Sequence, residues 1–338
     1  MTVIALDAMG GDFAPRVPVE AAVRATRKTD CEVILVGAGE TLEDELRRRG
    51  KSGMKVRIHH APDRVEVHEA PTVLLKGKPG ASVRVACALV KEGTADAVVS
   101  AGHTGALMVA AKHELGTLGG IERPAIATPL PLRRGQSILL DSGANVDCKP
   151  QFLVHFARMG QVYARFVSKI DQPRVALLSN GGETGKGNEL VRQTTALLSR
   201  SFAGFTGNVE GRDLFRGKAD VIVCDGFVGN LVLKTAEAAS MQIRVLLKDS
   251  LARHPLARLG YWLMHRVLRD LLRRTDHREI GGSLLLGLDG IAMACHGASN
   301  AATLVQAIRM ARDCLKGGLV EQLRAEFSRQ AVGLPASG

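Results

Sequence analysis

Aromatic side chains are scarce in this 338-residue sequence: phenylalanine, tyrosine and tryptophan together make up 4%, and Trp262 is the single tryptophan. So few rings give no interleaved aromatic and basic platform for stacking bases, and no helix-turn-helix, finger or single-strand-binding signature stands in for one. Nucleic acid is therefore the weaker reading of the net charge of +11. No window reaches the run of about 18 apolar residues that a membrane span needs. The first residues form a strand pattern ending in Asp7, so no signal peptide is expected and a cytoplasmic location follows. The six cysteines (Cys31, Cys87, Cys148, Cys224, Cys295, Cys314) form no C-x-x-C pair and no His/Cys ligand spacing. That argues against a zinc site or a disulfide framework and for free thiols in the core. His59, His60 and His68 also lack a metal spacing and are expected at the surface. Neither metal nor cofactor is expected, and no internal repeat or low-complexity segment is visible.

What the chain does have is a hydrophobic fraction of 46%, enough for a large core, and 37 glycines, many of them gathered in a few turns. The run from Arg174 to Leu190 organises the rest. Val175 to Leu178 reads as a buried parallel strand and Glu189 onward as a helix, with Ser179-Asn180-Gly181-Gly182-Glu183-Thr184-Gly185-Lys186-Gly187-Asn188 between them. At such a crossover glycines bare backbone amides, and the next helix presents its positive end. Four glycines and a lysine suit an anion. The order is not that of a nucleotide-binding P-loop, because Gly187 follows Lys186 where a serine or threonine would be required.

The same design recurs. The strand Val3 to Leu6 ends in Asp7-Ala8-Met9-Gly10-Gly11-Asp12, where two carboxylates flank a glycine pair. Ala95 to Ser100 feeds Gly102-His103-Thr104-Gly105; Ile138 to Leu140 feeds Asp141-Ser142-Gly143-Ala144-Asn145; Asp220 to Cys224 feeds Asp225-Gly226-Phe227-Val228-Gly229-Asn230 before a helix from Leu231 to Leu247. Lys76 to Gly80 is a basic, glycine-rich loop that either closes over an anion or is a solvated connection. Strand, turn and helix in steady alternation predict an α/β fold, a three-layer α/β/α arrangement around a mostly parallel sheet, with residues 1–338 as one unit.

Residues 248–280 break that rhythm as a basic, amphipathic helical excursion. From Ser250 to Arg278 there are seven arginines against two aspartates. At 100° per residue Arg258, His265, Arg266, Arg269 and Arg273 share one sector and Leu256, Leu259, Leu263 and Val267 the other. An anionic membrane surface and an acidic carrier protein both fit. The chain then returns to a last strand-like run, Leu284 to Leu288, and to His296-Gly297-Ala298-Ser299-Asn300 before a final helix.

Six of these motifs in order, namely Asp7 to Asp12, Ser100 to Leu107, Lys186 to Glu189, Asn208 to Arg212, Cys224 to Asn230 and His296 to Ser299, resemble the motif set of the bacterial phosphate acyltransferases, the PlsX family. The resemblance runs from Ile4 to about Leu315. It implies transfer of a fatty acyl group from acyl carrier protein to inorganic phosphate, giving acyl phosphate for phospholipid synthesis. It further implies a fold akin to phosphate acetyltransferases and isopropylmalate-type dehydrogenases, a homodimer, peripheral membrane contact, and a glycerol-3-phosphate acyltransferase as the downstream partner. The chain departs from the family's usual pattern at His103, where asparagine is common, and at Ser142, where a small apolar residue is.

Attack of phosphate on a thioester needs an anion clamp, a donor for the developing oxyanion and an exit for the thiolate, and no protein nucleophile. A helix N-terminus contributes about 0.3–2 kcal/mol toward an anion, so Lys186 is expected to join it. An oriented oxyanion donor is worth about 2.7–4 kcal/mol. Asn230, or the amides of Gly229 and Gly181, are the candidates, with Asp225 orienting Lys186 or Asn230. Lys186, Asp225 and Asn230 are thus the expected catalytic residues. The turns carrying Asp7, Gly10, Gly11 and Asp12, then Gly102, His103, Thr104 and Gly105, then Asp141 and Asn145, and finally Asn180 and Gly181, are expected to bind substrate. Three rivals remain: a decarboxylating dehydrogenase of the same broad fold, which would need a dinucleotide and a carboxylate-bound metal although no G-x-G-x-x-G opens the first crossover; a phosphate acetyltransferase-like enzyme using acyl-CoA; and a basic membrane-binding scaffold without catalysis.

Overall fold

Strand direction decides where the glycine turns end up. The computed structural model describes residues 1–50, 55–66, 68–133, 135–183, 185–253, 260, 263–267 and 281–331. Eleven strands form one sheet in the order β3-β2-β1-β4-β11-β10-β5-β6-β9-β7-β8. The strands are β1 (Val3–Asp7), β2 (Glu32–Gly37), β3 (Val56–His60), β4 (Ala97–Ser100), β5 (Ala125–Pro131), β6 (Gln136–Leu140), β7 (Val175–Leu178), β8 (Phe205–Val209), β9 (Val221–Val223), β10 (Ser283–Leu286) and β11 (Ile291–Ala294). Pairing is parallel throughout β3-β2-β1-β4-β11 and again throughout β6-β9-β7-β8. Between these halves, β10 and β5 make three successive antiparallel pairings. An odd number of reversals leaves the two halves pointing in opposite directions.

The register brings their ends together. Asp7 pairs with Ser100, Ser100 with Ala294 and Ala294 with Ser283. In the other half Thr128 pairs with Leu139, Leu139 with Ile222 and Ile222 with Ala176. Because Leu284 pairs with Ala127, Ser283 lies level with Thr128. One row therefore crosses the sheet, and the first half ends at it while the second half ends one or two residues past it from the opposite side. The carboxyl ends of both parallel halves converge on the level of Thr128.

Alternate strand residues feed opposite faces, as the period of 2 requires. Ile4, Leu6, Val99, Ile138 and Leu140 join a core with α1 (Arg16–Lys28) and α6 (Pro150–Ser168), whereas Ala5 and Val98 pack on the other face. The first face is also covered by two C-terminal helices, α9 (Ala301–Lys316) and α10 (Leu319–Ala331). On the second face α4 (Ser82–Lys91) and α5 (Thr104–Glu114) cover one half-sheet and the start of α8 (Gly226–Arg253) meets the other. The arrangement is the expected three-layer α/β/α with a mostly parallel sheet. The remaining helices are α2 (Gly39–Arg47), α3 (Val73–Lys76) and α7 (Glu189–Ser201).

Several boundaries move. α8 starts at Gly226 rather than Leu231, so the glycine-bearing stretch up to Asn230 is its first turn. The run Leu284 to Leu288 gives β10, and a further strand, β11, follows at Ile291. β5 carries Pro129 and Pro131 and nevertheless lies inside the sheet, against the rule that confines proline to edges. Most of the basic excursion from Leu251 to Arg274 lies outside the described residues; within it Gly260 and residues 263–267 are helical, with Leu263 and Val267 exposed. His59, His60 and His68 are exposed, as expected, while five of the six free cysteines are buried and Cys148 is half-buried.

Candidate active site

Where the two sets of strand ends meet, a cavity of about 790 Å³ opens on the face between α5 and α8, above β5 and β10. One end is polar, with Thr104 from α5, Ser299 from the loop before α9, and Gly143 and Asn230 from the crossovers after β6 and β9. The rest of the lining is mainly apolar, with Leu130 and Leu132 of the β5–β6 hairpin, Phe215, and Leu233 of α8, beside which Lys234 and Glu237 form an ion pair at 3.2 Å. Arg133 stands exposed on the rim of the same cavity.

Asp7 builds the first turn from beneath. Its carboxylate is buried and accepts from the hydroxyls of Ser82 and Ser100, each at 2.7 Å, and from the Met9 amide at 3.2 Å. Burial pushes this carboxyl above its ordinary range, and the two serines draw it partly back. A Cβ on Gly10 would meet Asp7 Oδ2 at 2.5 Å and the Gly102 amide at 2.7 Å, so only glycine lets these two turns touch. Gly11 has φ +98°, and the Asp12 amide donates to the Gly297 carbonyl at 2.9 Å. The turns after β1, β4 and β11 are thereby tied into one ledge. His103 is the N-cap of α5: its Nδ1 accepts from the Ala106 amide at 3.3 Å, a capping task that asparagine also performs well.

Asp141 does for the second half what Asp7 does for the first. It is fully buried and accepts from the amides of Ile126, Gly143, Ala144 and Asn145 and from the Asn145 side chain at 2.9 Å. Burial dominates and pushes its carboxyl up, against the pull of those donors. The Gly226 amide in turn donates to the Asn145 carbonyl at 2.7 Å, locking the β6 crossover to the first turn of α8. Asp141 and Asn145 are thus architectural, holding Gly143 and Asn230 in place rather than lining the cavity themselves. Asn230 packs over Gly143, where a Cβ would lie 3.5–3.7 Å from its side chain. The Asn230 amide makes no hydrogen bond among the described residues and faces the cavity.

The expected partners of Asn230 are otherwise employed. Asp225 Oδ1 caps α8 by accepting from the Val228 amide at 2.8 Å, and no hydrogen bond joins it to Lys186 or Asn230 among the described residues. The Gly229 amide donates to the Asp225 carbonyl at 3.0 Å, so it is spent within the helix. Lys186 is exposed, packs beside Gly181, and does not line the cavity; its loop follows β7, next to β9 in the sheet. Asn180 Oδ1 accepts from the Gly187 amide at 2.9 Å and shapes that loop. Lys78, in the basic loop before α4, is committed to Glu69 at 2.7 Å and to the Arg64 carbonyl.

Thr128 of β5 and Ser283 of β10, which the sequence did not single out, meet Ser142, one of the two departures noted above, and all three line the cavity. Thr128 Oγ1 lies 2.6 Å from Ser142 Oγ and 2.7 Å from Ser283 Oγ. Ser142, just past the end of β6, thus anchors that crossover to β5, and its hydroxyl also donates to the Ile126 carbonyl at 3.1 Å. Ser299 and Thr303 were also missed as site residues, although Ser299 belonged to a quoted motif; nothing in a Gly-Ala-Ser turn says which wall it faces. Burial pushes the Cys148 thiol up to about 12, with Asp141 and Asp225 adding to it, so it stays protonated at neutral pH.

Comparison with known proteins gives the family and the fold. The chain matches the model of a family described as "Fatty acid synthesis protein" over residues 2–322. It is 46% identical over 329 residues to the phosphate acyltransferase of Geobacter sulfurreducens, covering 96% of this chain and 95% of that one. It is 44% identical over 336 residues to the phosphate acyltransferase of Trichlorobacter lovleyi, covering 99% and 97%. Among solved structures it resembles a phosphotransacetylase from Streptococcus pyogenes, with a TM-score of 0.58 at 18% identity over 96% of this chain and 94% of that one. A branched-chain phosphotransacylase from Enterococcus faecalis gives 0.55 at 15% identity, covering 93% and 98%.

Proposed function

The chain belongs to the fatty acid synthesis protein family and is a phosphate acyltransferase, and on that premise we propose that the cavity joins an acyl thioester of acyl carrier protein to inorganic phosphate. The observation that carries this reading is the division of the cavity: a hydrocarbon wall of Leu130, Leu132, Phe215 and Leu233 leads to a hydroxyl- and amide-lined end. An acyl chain lies along the first, which brings its thioester carbonyl to the second. A phosphate oxygen adds to that carbonyl, the C–S bond breaks, and the thiolate leaves with the carrier. Asn230 donates to the oxyanion that forms on the way, a contact worth about 2.7–4 kcal/mol. Lys186, exposed on the glycine loop after β7 and outside the cavity lining, is read as a cation that draws phosphate toward the site rather than one that holds it there. The net charge of +11 suits an acidic carrier protein as the donor, and the comparison with acyl-CoA below separates the two thioesters.

Two further parts of the reading concern assembly. α8 spans 28 residues, and along its outer stretch Met241, Ile243, Val245 and Leu246 are all exposed, on more than one side of the helix. So many exposed apolar side chains, though interspersed with Gln242, Arg244 and Lys248, call for a protein partner, and a second copy of this chain related by a two-fold axis supplies one. No described helix is long and apolar enough to cross a membrane. The basic excursion is instead read as a reversible contact with anionic lipid, through which the product reaches a membrane-bound glycerol-3-phosphate acyltransferase. The continuous sheet supports treating the chain as one unit.

The decisive test is a hydroxylamine trap. Acyl hydroxamate is expected from the acyl carrier protein thioester only when phosphate is present, and faster than from acyl-CoA at equal concentration. Hydroxamate formation indifferent to phosphate would refute the assignment.

A further inference from the structure

The loop between β11 and α9 holds a hydroxyl with nothing to bond. Ser299 is 3% exposed, lines the cavity, and its Oγ has no hydrogen-bond partner among the described residues. Buried hydroxyls are almost always paired, and one that is not marks a place where something absent completes the bonding. A turn of about 120° about χ1 moves a serine Oγ between staggered positions without moving the backbone, so a residue that borders the cavity can present its O–H there.

The surroundings specify what completes it. Ser299 immediately precedes α9, a helix of 16 residues whose N-cap, Asn300, accepts from the Thr303 amide at 3.0 Å. The cap occupies one of the orphan donors and leaves the positive end of the helix beside the cavity. Thr104 and Thr303 flank the same wall, and Asn230 lines the cavity as well. Neither aspartate that organises the strand ends lines the cavity: Asp7 and Asp141 are both turned into the protein, spent on hydroxyls and amides. Among the described residues Glu237 is the one carboxylate in the cavity lining and is paired with Lys234 at 3.2 Å, so hydroxyls at a helix N-terminus remain to suit a small oxyanion. Resting on the acyl-transfer reading above, we propose that Ser299 is a phosphate-binding residue, its Oγ–H donating to an oxygen of inorganic phosphate held at the N-terminus of α9. The anion then sits at the polar end of the cavity, with the hydrocarbon wall beyond it.

The test pairs kinetics with binding. Phosphate titrations of hydroxamate formation are run on the wild type, Ser299→Ala and Ser299→Cys, and inorganic phosphate is separately tested for its effect on the thermal midpoint with no acyl donor present. Loss of one hydrogen bond to a charged group predicts a rise of about tenfold in the phosphate KM of Ser299→Ala, with kcat changing less than about threefold. Ser299→Cys, which keeps the shape and a weak donor, should fall between the two. Phosphate should raise the midpoint of the wild type more than that of Ser299→Ala. An unchanged phosphate KM, or an equal thermal shift in both proteins, overturns the proposal. So does a fall in kcat with KM untouched, which would move Ser299 to the thioester. Failure of the wild type to need phosphate would sink the acyl-transfer reading instead, while the thermal arm still reads phosphate binding.

Discussion

The α-carbon of Gly229 faces the backbone carbonyl of Asp141 so closely that any Cβ built there would overlap the oxygen. That contact, with the bond from the Gly226 amide to the Asn145 carbonyl, welds the first turn of α8 to the β6 crossover. Asn230 reaches the cavity because the residue before it has no side chain.

Gly229→Ala is therefore expected to destabilise the fold by about 3 kcal/mol, since backbone on both sides of the contact leaves no flexible side chain to give way. Activity should fall with it. Urea unfolding followed by circular dichroism measures the first effect, and a variant as stable as wild type would show that the β6 crossover can yield.

Asn230→Ala and Lys186→Ala should separate on kinetic grounds. Removing a transition-state donor lowers kcat by about 10²–10³-fold at saturating phosphate. Removing an exposed cation that acts only on phosphate raises the phosphate KM by about tenfold and leaves the unfolding midpoint alone. Exchange of the two patterns would exchange the two roles.

The buried carboxylates give a pH signature. Burial raises Asp7 in the folded protein above its unfolded value of 3.8, so the native state binds the proton more tightly and stability from this group falls as pH rises. The wild type should gain relative to Asp7→Asn as pH drops from neutrality toward 4. Parallel urea titrations at pH 7 and pH 4.5 check this; a wild type that loses stability relative to Asp7→Asn on acidification contradicts it.

No cysteine should act as a nucleophile. Cys148, the half-buried one, is pushed up to about 12, so only about one thiol in 10⁴ is ionised at pH 8. Cys295, which lines the cavity, is also pushed up to about 12 by burial. Brief iodoacetamide treatment at pH 8 should leave hydroxamate formation intact, and Cys148→Ser should keep most of its turnover.

Charge placed on α8 should break the proposed dimer. Ile243 is 66% exposed and Leu247 lies one turn further along. In sedimentation at micromolar concentration the wild type is expected at twice the chain mass and Ile243→Glu/Leu247→Glu at the monomer mass. Flotation with anionic liposomes tests the neighbouring excursion: Arg266→Glu/Arg269→Glu should lose about 4 kcal/mol of attraction, four charge units at roughly 1 kcal/mol each.

The strands that end in glycine turns were legible in the chain, because an apolar run of three or four residues closed by Asp7, Ser100, Asp141 or Asp225 carries its own signal of burial and crossover. The three-layer class followed from their rhythm. What the sequence could not contain was direction: Pro129 and Pro131 disguise β5, and only its pairing with β6 and β10 reverses the second half-sheet and brings its ends to the first at Thr128. Sequence also cannot tell a carboxylate that meets substrate from one consumed by amides. Asp7, Asp141 and Asp225 look alike in their turns, and it took the fold to show each spent on hydroxyls or backbone donors, with the Asn230 side chain and the Ser299 hydroxyl unpaired among the described residues beside the cavity. Local pattern is set by the hydrophobic period and by turn chemistry, whereas the meeting of two crossovers more than a hundred residues apart depends on long-range register, which no single stretch encodes.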